Sequence, residues 1–378
     1  MERDYVNRTL IESLSSNLFK GKVFVIYGPR QCGKTTLVKQ LVRRESLDPV
    51  FLNGDDDLDQ GLFDTVTQSR WTQILGDKKC VVVDEAQKIR NMGRSVKLLV
   101  DARPDVQVIV TGSSSFALAN TVEEPLTGRK FEYRLFPLSY AELADHFGMQ
   151  EERKKLELRL IYGSYPEVVT DETAMKATVR LLAESYLYRD VLQYDGIRKP
   201  AVLEKLLRAL ALQCGNEVSI AELAGLLGVS RTTVDSYLKI LEQAFIVFPL
   251  GSYATNLRKE IKKGAKYYFV DNGMRNAVLN DFTPIAQRKD VGALWENYVV
   301  SERLKRNAAK QAEGLPYFWR SADQMEVDYL EVRGAEIRAF EFKWNPKKEC
   351  RISRAFQNRY PAATVQTITP GNYDLFLR

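Results

Sequence analysis

The sequence predicts an α/β fold with a parallel sheet in its N-terminal part, followed by helices and two smaller modules. An apolar run at 22–27 has the length and the β-branched and aromatic content of a buried strand, and residues 37–42 follow at helical spacing. Two further apolar runs, at 80–83 and 106–110, suit strands that are buried on both faces of a parallel sheet. At 378 residues the chain is long enough for two or three domains.

Composition and cysteine spacing exclude several classes of protein. Hydrophobic residues make up 45% of the chain and charged residues 28%, which is typical of a globular protein in water. No apolar run approaches the roughly 20 residues that span a bilayer, and the charged first residues do not resemble a signal peptide. The four cysteines are far apart and only one histidine is present, which disfavours a zinc site and a disulfide framework. We expect a cytoplasmic protein without a membrane partner.

The net charge of +6 is concentrated in the C-terminal half. Residues 1–200 contain 29 basic and 29 acidic side chains, whereas residues 201–378 contain 26 basic and 20 acidic ones. An anionic partner of the C-terminal half would need this asymmetry, although ordinary solvated Lys and Arg side chains explain it about equally well.

A glycine-rich loop joins the first predicted strand to its helix with the spacing G-x-x-x-x-G-K-T. In that context the loop's backbone N–H groups and the helix N-terminus can surround nucleotide phosphates. We expect Lys34 to bridge the β- and γ-phosphates and Thr35 to bind Mg²⁺. No Asn-Lys-x-Asp pattern for guanine is present, so ATP is the expected nucleotide. The expected phosphate-binding residues are Gly28, Pro29, Arg30, Gln31, Cys32, Gly33, Lys34, Thr35 and Thr36.

The run at 80–83 ends in two carboxylates, Asp84 and Glu85. The carboxyl ends of parallel strands are where such sheets bind ligands. We expect Asp84 to hold Mg²⁺, directly or through water, and Glu85 to orient and polarise the water that attacks the γ-phosphate.

Hydroxyls and arginines beyond the third run are further candidates. Thr111 and Ser113 are candidate phosphate sensors, while a turn and helix cap explains Ser114 and Ser115 well. Arg129 or Arg134 could stabilise transition-state charge in its own chain or in a neighbouring subunit, but an exposed arginine is the commoner explanation.

Residues 201–270 have the pattern of a helix-turn-helix. A short capped helix at 219–228 ends in glycine, and an amphipathic helix at 229–241 begins at a serine. Strand-like runs at 245–248 and 267–270 flank a basic segment, which predicts a winged helix. The alternative is a structural lid on the ATPase. The residues expected to contact DNA are Arg231, Thr232, Thr233 and Ser236 in the helix and Arg258, Lys259, Lys262 and Lys263 in the wing.

The last predicted strands bring acidic residues and a lysine together. Asp328 lies on one strand of a hairpin, and Glu341 and Lys343 share a face of the other. Two carboxylates from paired strands can hold Mg²⁺ while a lysine orients or deprotonates water, and Glu296 on a preceding helix could add a ligand. This is the arrangement of the PD-(D/E)XK nuclease fold, although hairpins with alternating charges are common, and active chemistry is a separate claim.

Short motifs along nearly the whole chain resemble bacterial and archaeal AAA+ ATPases of the AAA_14 type, whose C-terminal half carries a DUF4143 domain. The motifs lie at 28–36, 83–87, 111–114, 126–129, 136–139, 188–190, 268–273 and 326–328. The resemblance implies an AAA-like P-loop NTPase core, a winged helix and a nuclease-like C-terminal domain. It implies no biological role.

We therefore expect a P-loop ATPase core at 1–145, a helical connector at 146–200, a winged helix at 201–283 and a PD-(D/E)XK nuclease-like domain at 284–378. The expected function is Mg²⁺-dependent ATP hydrolysis that repositions the winged helix and the nuclease-like domain on DNA, with self-association into a homo-oligomer as a further expectation. Two alternatives are a signalling switch that binds proteins and carries an inert nuclease-like domain, and an operator-specific transcription regulator.

Overall fold

The computed structural model describes residues 5–63, 67–113, 126–191, 197, 199–254, 264–321, 323–347 and 353–378. The predicted candidates Ser114, Ser115, Arg258, Lys259, Lys262 and Lys263 lie outside the described residues. The chain divides into two compact units. The first comprises Met1–Leu138, Gln243–Phe245 and Ala308–Lys310, and the second comprises Ser139–Glu242, Ile246–Asn307 and Gln311–Arg378.

A five-stranded parallel sheet forms the centre of the first unit, as predicted. Its spatial order is β2-β3-β4-β1-β5, so the strand before the glycine-rich loop lies between two neighbours. The strands are β1 (Val23–Tyr27), β2 (Pro49–Asn53), β3 (Cys80–Asp84), β4 (Gln107–Gly112) and β5 (Lys130–Arg134). Because all five run in the same direction, their carboxyl ends meet at one edge of the sheet.

Helices connect these strands and bury the sheet. The described helices are α1 (Leu10–Asn17), α2 (Lys34–Arg44), α3 (Asp57–Gly61), α4 (Gln68–Leu75) and α5 (Met92–Ala102), with a 3₁₀ turn at Ala86–Lys88. Leu37 and Leu41 of α2 pack on Phe24, Val82 and Ile109 of the sheet, and all five are at most 1% exposed. Burial of β1, β3 and β4 explains why these three strands are apolar runs in the sequence, whereas β2 and β5 are partly exposed.

The second unit begins with a helical region. The described helices are α6 (Tyr140–Phe147), α7 (Met149–Lys154), α8 (Leu156–Tyr162), α9 (Pro166–Thr170), α10 (Met175–Ala183), α11 (Pro200–Leu212), α12 (Ile220–Leu227), α13 (Arg231–Gln243), α14 (Asn272–Leu279), α15 (Val291–Ala309), α16 (Arg354–Arg359) and α17 (Tyr373–Leu377), with a π-helical stretch at Glu184–Val191 and a 3₁₀ turn at Ile285–Gln287. None of the helices in the described part of the chain is long and apolar enough to cross a membrane.

A seven-stranded mixed sheet runs through the rest of this unit. Its strands are β6 (Glu217–Val218), β7 (Val247–Ser252), β8 (Ala265–Phe269), β9 (Leu315–Arg320), β10 (Glu326–Arg333), β11 (Glu336–Phe342) and β12 (Thr364–Ile368). The order is β12-β11-β10-β9-β7-β8-β6, and β7 pairs with β9 in parallel. Segments 201–283 and 284–378 thus contribute strands to one sheet, which brings β8 and β10 into the same unit.

The helix pair α12–α13 is built by local capping. Ser219 accepts a hydrogen bond from the backbone N–H of Glu222 at 3.3 Å, and Gly228 ends α12 in the left-handed conformation at φ 65°. Ser230 then accepts from the N–H of Thr233 at 3.1 Å, which starts α13. These are the caps expected where a short helix turns sharply into a second one.

Candidate functional site

The glycine-rich loop lies at the carboxyl end of β1 and leads directly into α2. Gly28 is required by space, since a Cβ there would lie 2.2 Å from the carbonyl oxygen of Leu135. Gly33 is required by conformation, because its φ is 97°. The first turn of α2 has backbone N–H groups without partners inside the helix, and these favour an anion. The loop has the local features of a phosphate site.

Side chains of the loop divide into buried and exposed ones. Lys34 is 5% exposed, and its ammonium donates to the carbonyl oxygens of Gly28 and Pro29, at 3.0 Å each. The Cys32 thiol is buried and donates to the carbonyl of Leu135 at 3.5 Å, and burial raises its pKa. Of the other predicted loop residues, Pro29 is buried, Arg30, Gln31 and Thr35 are exposed, and Thr36 is half-buried.

Strand β3 places Asp84 against the start of α2. The Thr35 hydroxyl donates to Asp84 Oδ2 at 2.6 Å, and the Thr111 hydroxyl at the end of β4 donates to Asp84 Oδ1. The structure therefore brings together the two residues predicted to hold Mg²⁺. Their oxygens are the donors that Mg²⁺ prefers, so this pair fits the ion.

Glu85 is held by a residue that the sequence argument had not singled out. Its backbone is left-handed, with φ 48°, and the Gln87 side-chain amide donates both to Glu85 Oε2 and, at 3.1 Å, to the hydroxyl of Ser113. Gln87 thereby links Glu85 to the segment that follows β4. Ser113 directly follows β4, and its hydroxyl contacts Gln87.

The two candidate arginines lie at opposite ends of β5. Arg129 directly precedes β5, and its carbonyl accepts from the N–H of Val23 at the start of β1. Its guanidinium donates to Asp101 at 2.7 Å, with both side chains more than 40% exposed. Arg134 is aligned with Tyr27, directly before the loop, and is exposed. The structure thus does not bring Arg129 to the loop of its own chain, so its catalytic role there remains a prediction without geometric support.

Arg8, which no motif contains, links the loop to the segment that follows β5. Its guanidinium is 6% exposed and donates to the carbonyl oxygens of Cys32 at 2.8 Å and Phe136 at 2.6 Å. Two charge-assisted hydrogen bonds from one buried side chain restrict the loop's position.

In the second unit, the N-terminal face of α13 is accessible. Arg231, Thr232 and Ser236 are exposed, whereas Thr233 is half-buried and shares a hydrogen bond with the Ser230 hydroxyl at 2.8 Å. Polar side chains at the start of such a helix can reach base edges or phosphates. Three of the four candidates on this helix are therefore free of the core.

The structure brings the predicted acidic residues of the C-terminal part together. Lys343 donates to Glu341 at 2.7 Å and lies 3.6 Å from Asp328 Oδ2, which also accepts from the N–H of Phe342 at 2.8 Å. Glu296 on α15 is near enough to Asp328 for the two charges to interact. We call Glu296, Glu326, Asp328 and Glu341 the carboxylate cluster.

Two residues of β8 contact the carboxylate cluster. The Lys266 ammonium contacts Glu296 at 3.2 Å and Glu326 at 2.5 Å, and the Tyr268 hydroxyl donates to Glu296 at 2.7 Å. Arg320 pairs with Glu326 and Glu217, at 2.9 Å each. Among the described residues, no three Asp, Glu, His or Cys side chains are placed together as a ready set of metal ligands.

Burial and neighbouring negative charge raise the pKa of two carboxyl groups in the cluster. Burial and the Asp328 charge raise the pKa of Glu296 to about 7, against the lowering effect of Lys266. Burial and Asp328 raise the pKa of Glu341 to about 7 as well, against the effect of Lys343. Perturbed carboxyl groups of this kind mark candidate functional sites, although structural ion-pair networks produce them too.

Sequence reasoning missed four contact residues: Arg8, Gln87, Lys266 and Tyr268. Lys266 and Tyr268 alternate on β8 and so share one face, a signal that was present in the strand. Nothing in the sequence shows that this face meets α15. Arg8 lies far from its partners in the chain, and Gln87 ends the 83–87 motif without any signal that its amide would contact Glu85 and Ser113.

Three family models match consecutive parts of the chain. An AAA domain (AAA_14) matches residues 20–144, a domain of unknown function (DUF8612) matches 153–284, and another (DUF4143) matches 291–376. The chain thus contains the AAA_14 and DUF4143 domains that its motifs predicted.

Similar proteins occur in bacteria and archaea. An uncharacterized protein of Mycobacterium tuberculosis is 29% identical over 366 residues, covering 94% of this chain and 78% of the relative. An uncharacterized protein of Methanocaldococcus jannaschii is 26% identical over 344 residues, covering 85% of this chain and 75% of the relative. The solved Walker-type ATPase PABY2304 of Pyrococcus abyssi superimposes with a TM-score of 0.53 at 16% identity, covering 74% of this chain and 97% of that one. This likeness bears on the fold alone.

Proposed function

We propose that this chain, which carries an AAA domain and a DUF4143 domain, hydrolyses ATP with Mg²⁺ and couples its nucleotide state to DNA binding by the second unit. The single observation that carries the ATPase proposal is the contact between Thr35 and Asp84 at 2.6 Å, directly beside the glycine-rich loop. Through this contact the two proposed Mg²⁺ ligands lie beside the proposed phosphate-binding loop. Glu85 directly follows Asp84 in the chain.

Each residue of the nucleotide site has a distinct role in this proposal. The loop N–H groups bind the phosphates, and Lys34 exchanges its two carbonyl acceptors for phosphate oxygens. Thr35 and Asp84 hold Mg²⁺, which neutralises phosphate charge when bound. Glu85 orients the attacking water. Thr111 positions Asp84, and Ser113 positions Glu85 through Gln87, so we assign both hydroxyls to the support of the carboxylates rather than to direct phosphate sensing.

Removal of the loop lysine tests the ATPase proposal. Lys34→Ala should abolish Mg²⁺-dependent ATP hydrolysis, because the ammonium beside the β- and γ-phosphates is lost. Lys39→Ala is the matched control, since Lys39 lies on the same helix but is exposed and outside the loop. Phosphate release would be measured for both. Hydrolysis by the Lys34→Ala protein at the unmodified rate would refute the proposal.

DNA binding by the second unit is supported by the exposed face of α13 and by the charge of residues 201–378. Six excess basic charges favour a polyanion, and Arg231, Thr232 and Ser236 offer donors at a helix N-terminus. An operator-specific regulator would use the same residues. Protection of one defined sequence without cleavage would favour that function.

The carboxylate cluster supports two opposed functions. Asp328, Glu341 and Lys343 resemble a Mg²⁺-dependent nuclease site, in which the carboxylates hold the ion and the lysine orients water. The ion pairs of Lys266 and Lys343 favour instead an inert domain in a signalling switch, because the carboxylates already have cationic partners.

A cleavage assay separates these two functions. Linear and circular DNA would be incubated with Mg²⁺ or Mn²⁺, with and without ATP. A nuclease should cut, and Lys343→Ala should lower the rate at least about 100-fold if the lysine acts on the attacking water. Lys347→Ala is the control, because Lys347 is exposed and outside the cluster. Equal cutting by the two variants contradicts a catalytic Lys343, and no cutting favours the switch.

A further inference from the structure

Lys266 is buried more deeply than any of the four side chains of the carboxylate cluster. It is 1% exposed, and its ammonium lies between Glu296 of α15 and Glu326 of β10, at 3.2 and 2.5 Å. Its ammonium also lies 5.5 Å from the centre of the Phe318 ring. A lysine in such surroundings keeps its charge only because carboxylates compensate for lost hydration. Lys266 is therefore held in place by Glu296 and Glu326.

Strand β8 occupies Glu296 with two donors. Both the Lys266 ammonium and the Tyr268 hydroxyl contact the same oxygen, Glu296 Oε1. Neither donor comes from the hairpin that carries Asp328 and Glu341. The partners of Glu296 thus differ from those of the other two predicted ligands.

The negative charge around the carboxylate cluster favours a metal ion, whereas the placement of the side chains does not. The four members of the cluster and Glu217 supply five carboxylates, and these face the three cations of Lys266, Arg320 and Lys343. This whole ion-pair network has a formal charge of −2. That charge and the oxygen donors suit a divalent cation. No three acidic side chains are nevertheless placed as ligands among the described residues. The donor chemistry fits Mg²⁺, whereas the placement does not.

We propose that Lys266 acts as the resident counter-cation of Glu296 and withholds this carboxylate from a divalent cation at Asp328 and Glu341. The inference rests on the proposed cation site of the nuclease-like unit. Binding through all three carboxylates requires the ammonium to leave Glu296, and this lowers the affinity for the ion. The unmodified cluster is thus a weak divalent-cation site because its own lysine competes.

Mn²⁺ binding tests this competition without relying on catalysis. The full-length chain carrying Asp84→Asn, which removes the proposed ligand at the nucleotide site, would be titrated with Mn²⁺ in the absence of nucleotide. The electron paramagnetic resonance signal of free Mn²⁺ reports the bound fraction. Adding Lys266→Met should tighten Mn²⁺ binding about 10-fold or more, because a competing charge close to Glu296 is removed.

A double variant separates competition from overall charge. Lys266→Met with Glu326→Gln removes one positive and one negative charge, so the formal charge of the ion-pair network remains −2. It also replaces both partners of a buried ion pair, which is better tolerated than removal of one. This protein should also bind Mn²⁺ more tightly than the Asp84→Asn background. Adding Asp328→Asn should abolish this increase in Mn²⁺ affinity, which would show that the ion binds at the carboxylate cluster.

Two results would overturn the proposal in distinguishable ways. Unchanged or weaker Mn²⁺ binding by the double variant, in a background that binds Mn²⁺ in an Asp328-dependent way, shows that Lys266 does not compete, while the cation site stands. Absence of Asp328-dependent Mn²⁺ binding in every protein rejects the cation site together with the role of Lys266.

Discussion

At the residue scale, Gln87 is the side chain that most directly controls the geometry of Glu85. One amide group contacts both the Glu85 carboxylate and the Ser113 hydroxyl. Glu85 itself follows β3 in a left-handed conformation that non-glycine residues rarely adopt. A carboxylate that must orient water benefits from such a fixed partner.

Gln87→Leu should therefore lower kcat for ATP hydrolysis about 10-fold with little change in KM for ATP, because Glu85 loses orientation while the phosphate-binding loop is untouched. Steady-state ATPase kinetics measure both constants. Gln68→Leu on α4 is the control, since Gln68 is exposed and away from the site. An increase in KM without a fall in kcat would show that Gln87 contributes to nucleotide binding instead.

The candidate nucleotide residues could be proposed from sequence because each belongs to a short local pattern. Lys34 and Thr35 follow a strand and a glycine loop, and Asp84 and Glu85 end an apolar run. The supporting contacts could not be predicted. Arg8 meets Phe136 across 128 positions of sequence, and only the folded chain brings them together.

At the element scale, α15 is anchored at its start by a cluster of charges. Asp290, which directly precedes it, accepts from Arg275 at 2.7 Å and from Arg288 at 2.8 Å. Both guanidinium groups are at most 3% exposed. Burial alone would raise the pKa of Asp290, but these arginines hold it at about 2. The same helix carries Glu296, so this anchor also positions the carboxylate cluster.

Asp290→Asn should lower the free energy of unfolding by about 2 kcal/mol at neutral pH, a value below that of a fully buried pair because the carboxylate is a third exposed. The folded-state pKa lies below the usual value of about 3.9, so the stabilisation is complete above pH 4 and is lost as pH falls towards 2. Urea unfolding at pH 7, 5 and 3 measures this.

The difference between the unmodified protein and Asp290→Asn should be constant from pH 7 to pH 5 and smaller at pH 3. Asp48→Asn is the control, because Asp48 is 82% exposed in its pair with Lys78 and should change stability by less than about 0.5 kcal/mol. A difference that grows as pH falls would contradict the assigned role of Asp290.

Element boundaries were less predictable than element types. The run at 245–248 predicted a strand, whereas β7 covers Val247–Ser252. Its last residues, Gly251 and Ser252, pair with β9, and this pairing extends the strand. The β-propensity of these residues cannot predict where β7 ends, because the glycine and the proline in the segment argue against a strand.

At the whole-molecule scale, two compact units carry two different clusters of functional candidates. The first holds the parallel sheet with the candidate nucleotide residues, and the second holds the exposed face of α13 and the carboxylate cluster. The sequence predicted the parallel sheet because three of its strands, β1, β3 and β4, are apolar runs. It did not predict the single seven-stranded sheet, since the β7–β9 pairing joins strands more than sixty positions apart.

The central claim is that nucleotide state controls DNA binding. Glu85→Gln should bind ATP but hydrolyse it slowly, so its affinity for duplex DNA can be compared with ATP and with ADP at one fixed salt concentration by fluorescence anisotropy. We expect at least a 5-fold difference in DNA affinity, roughly the lower limit of ordinary coupling between sites. Lys34→Ala, which lacks the phosphate contact, should show no effect of nucleotide. Equal DNA affinity of the Glu85→Gln protein with ATP and ADP would contradict the account.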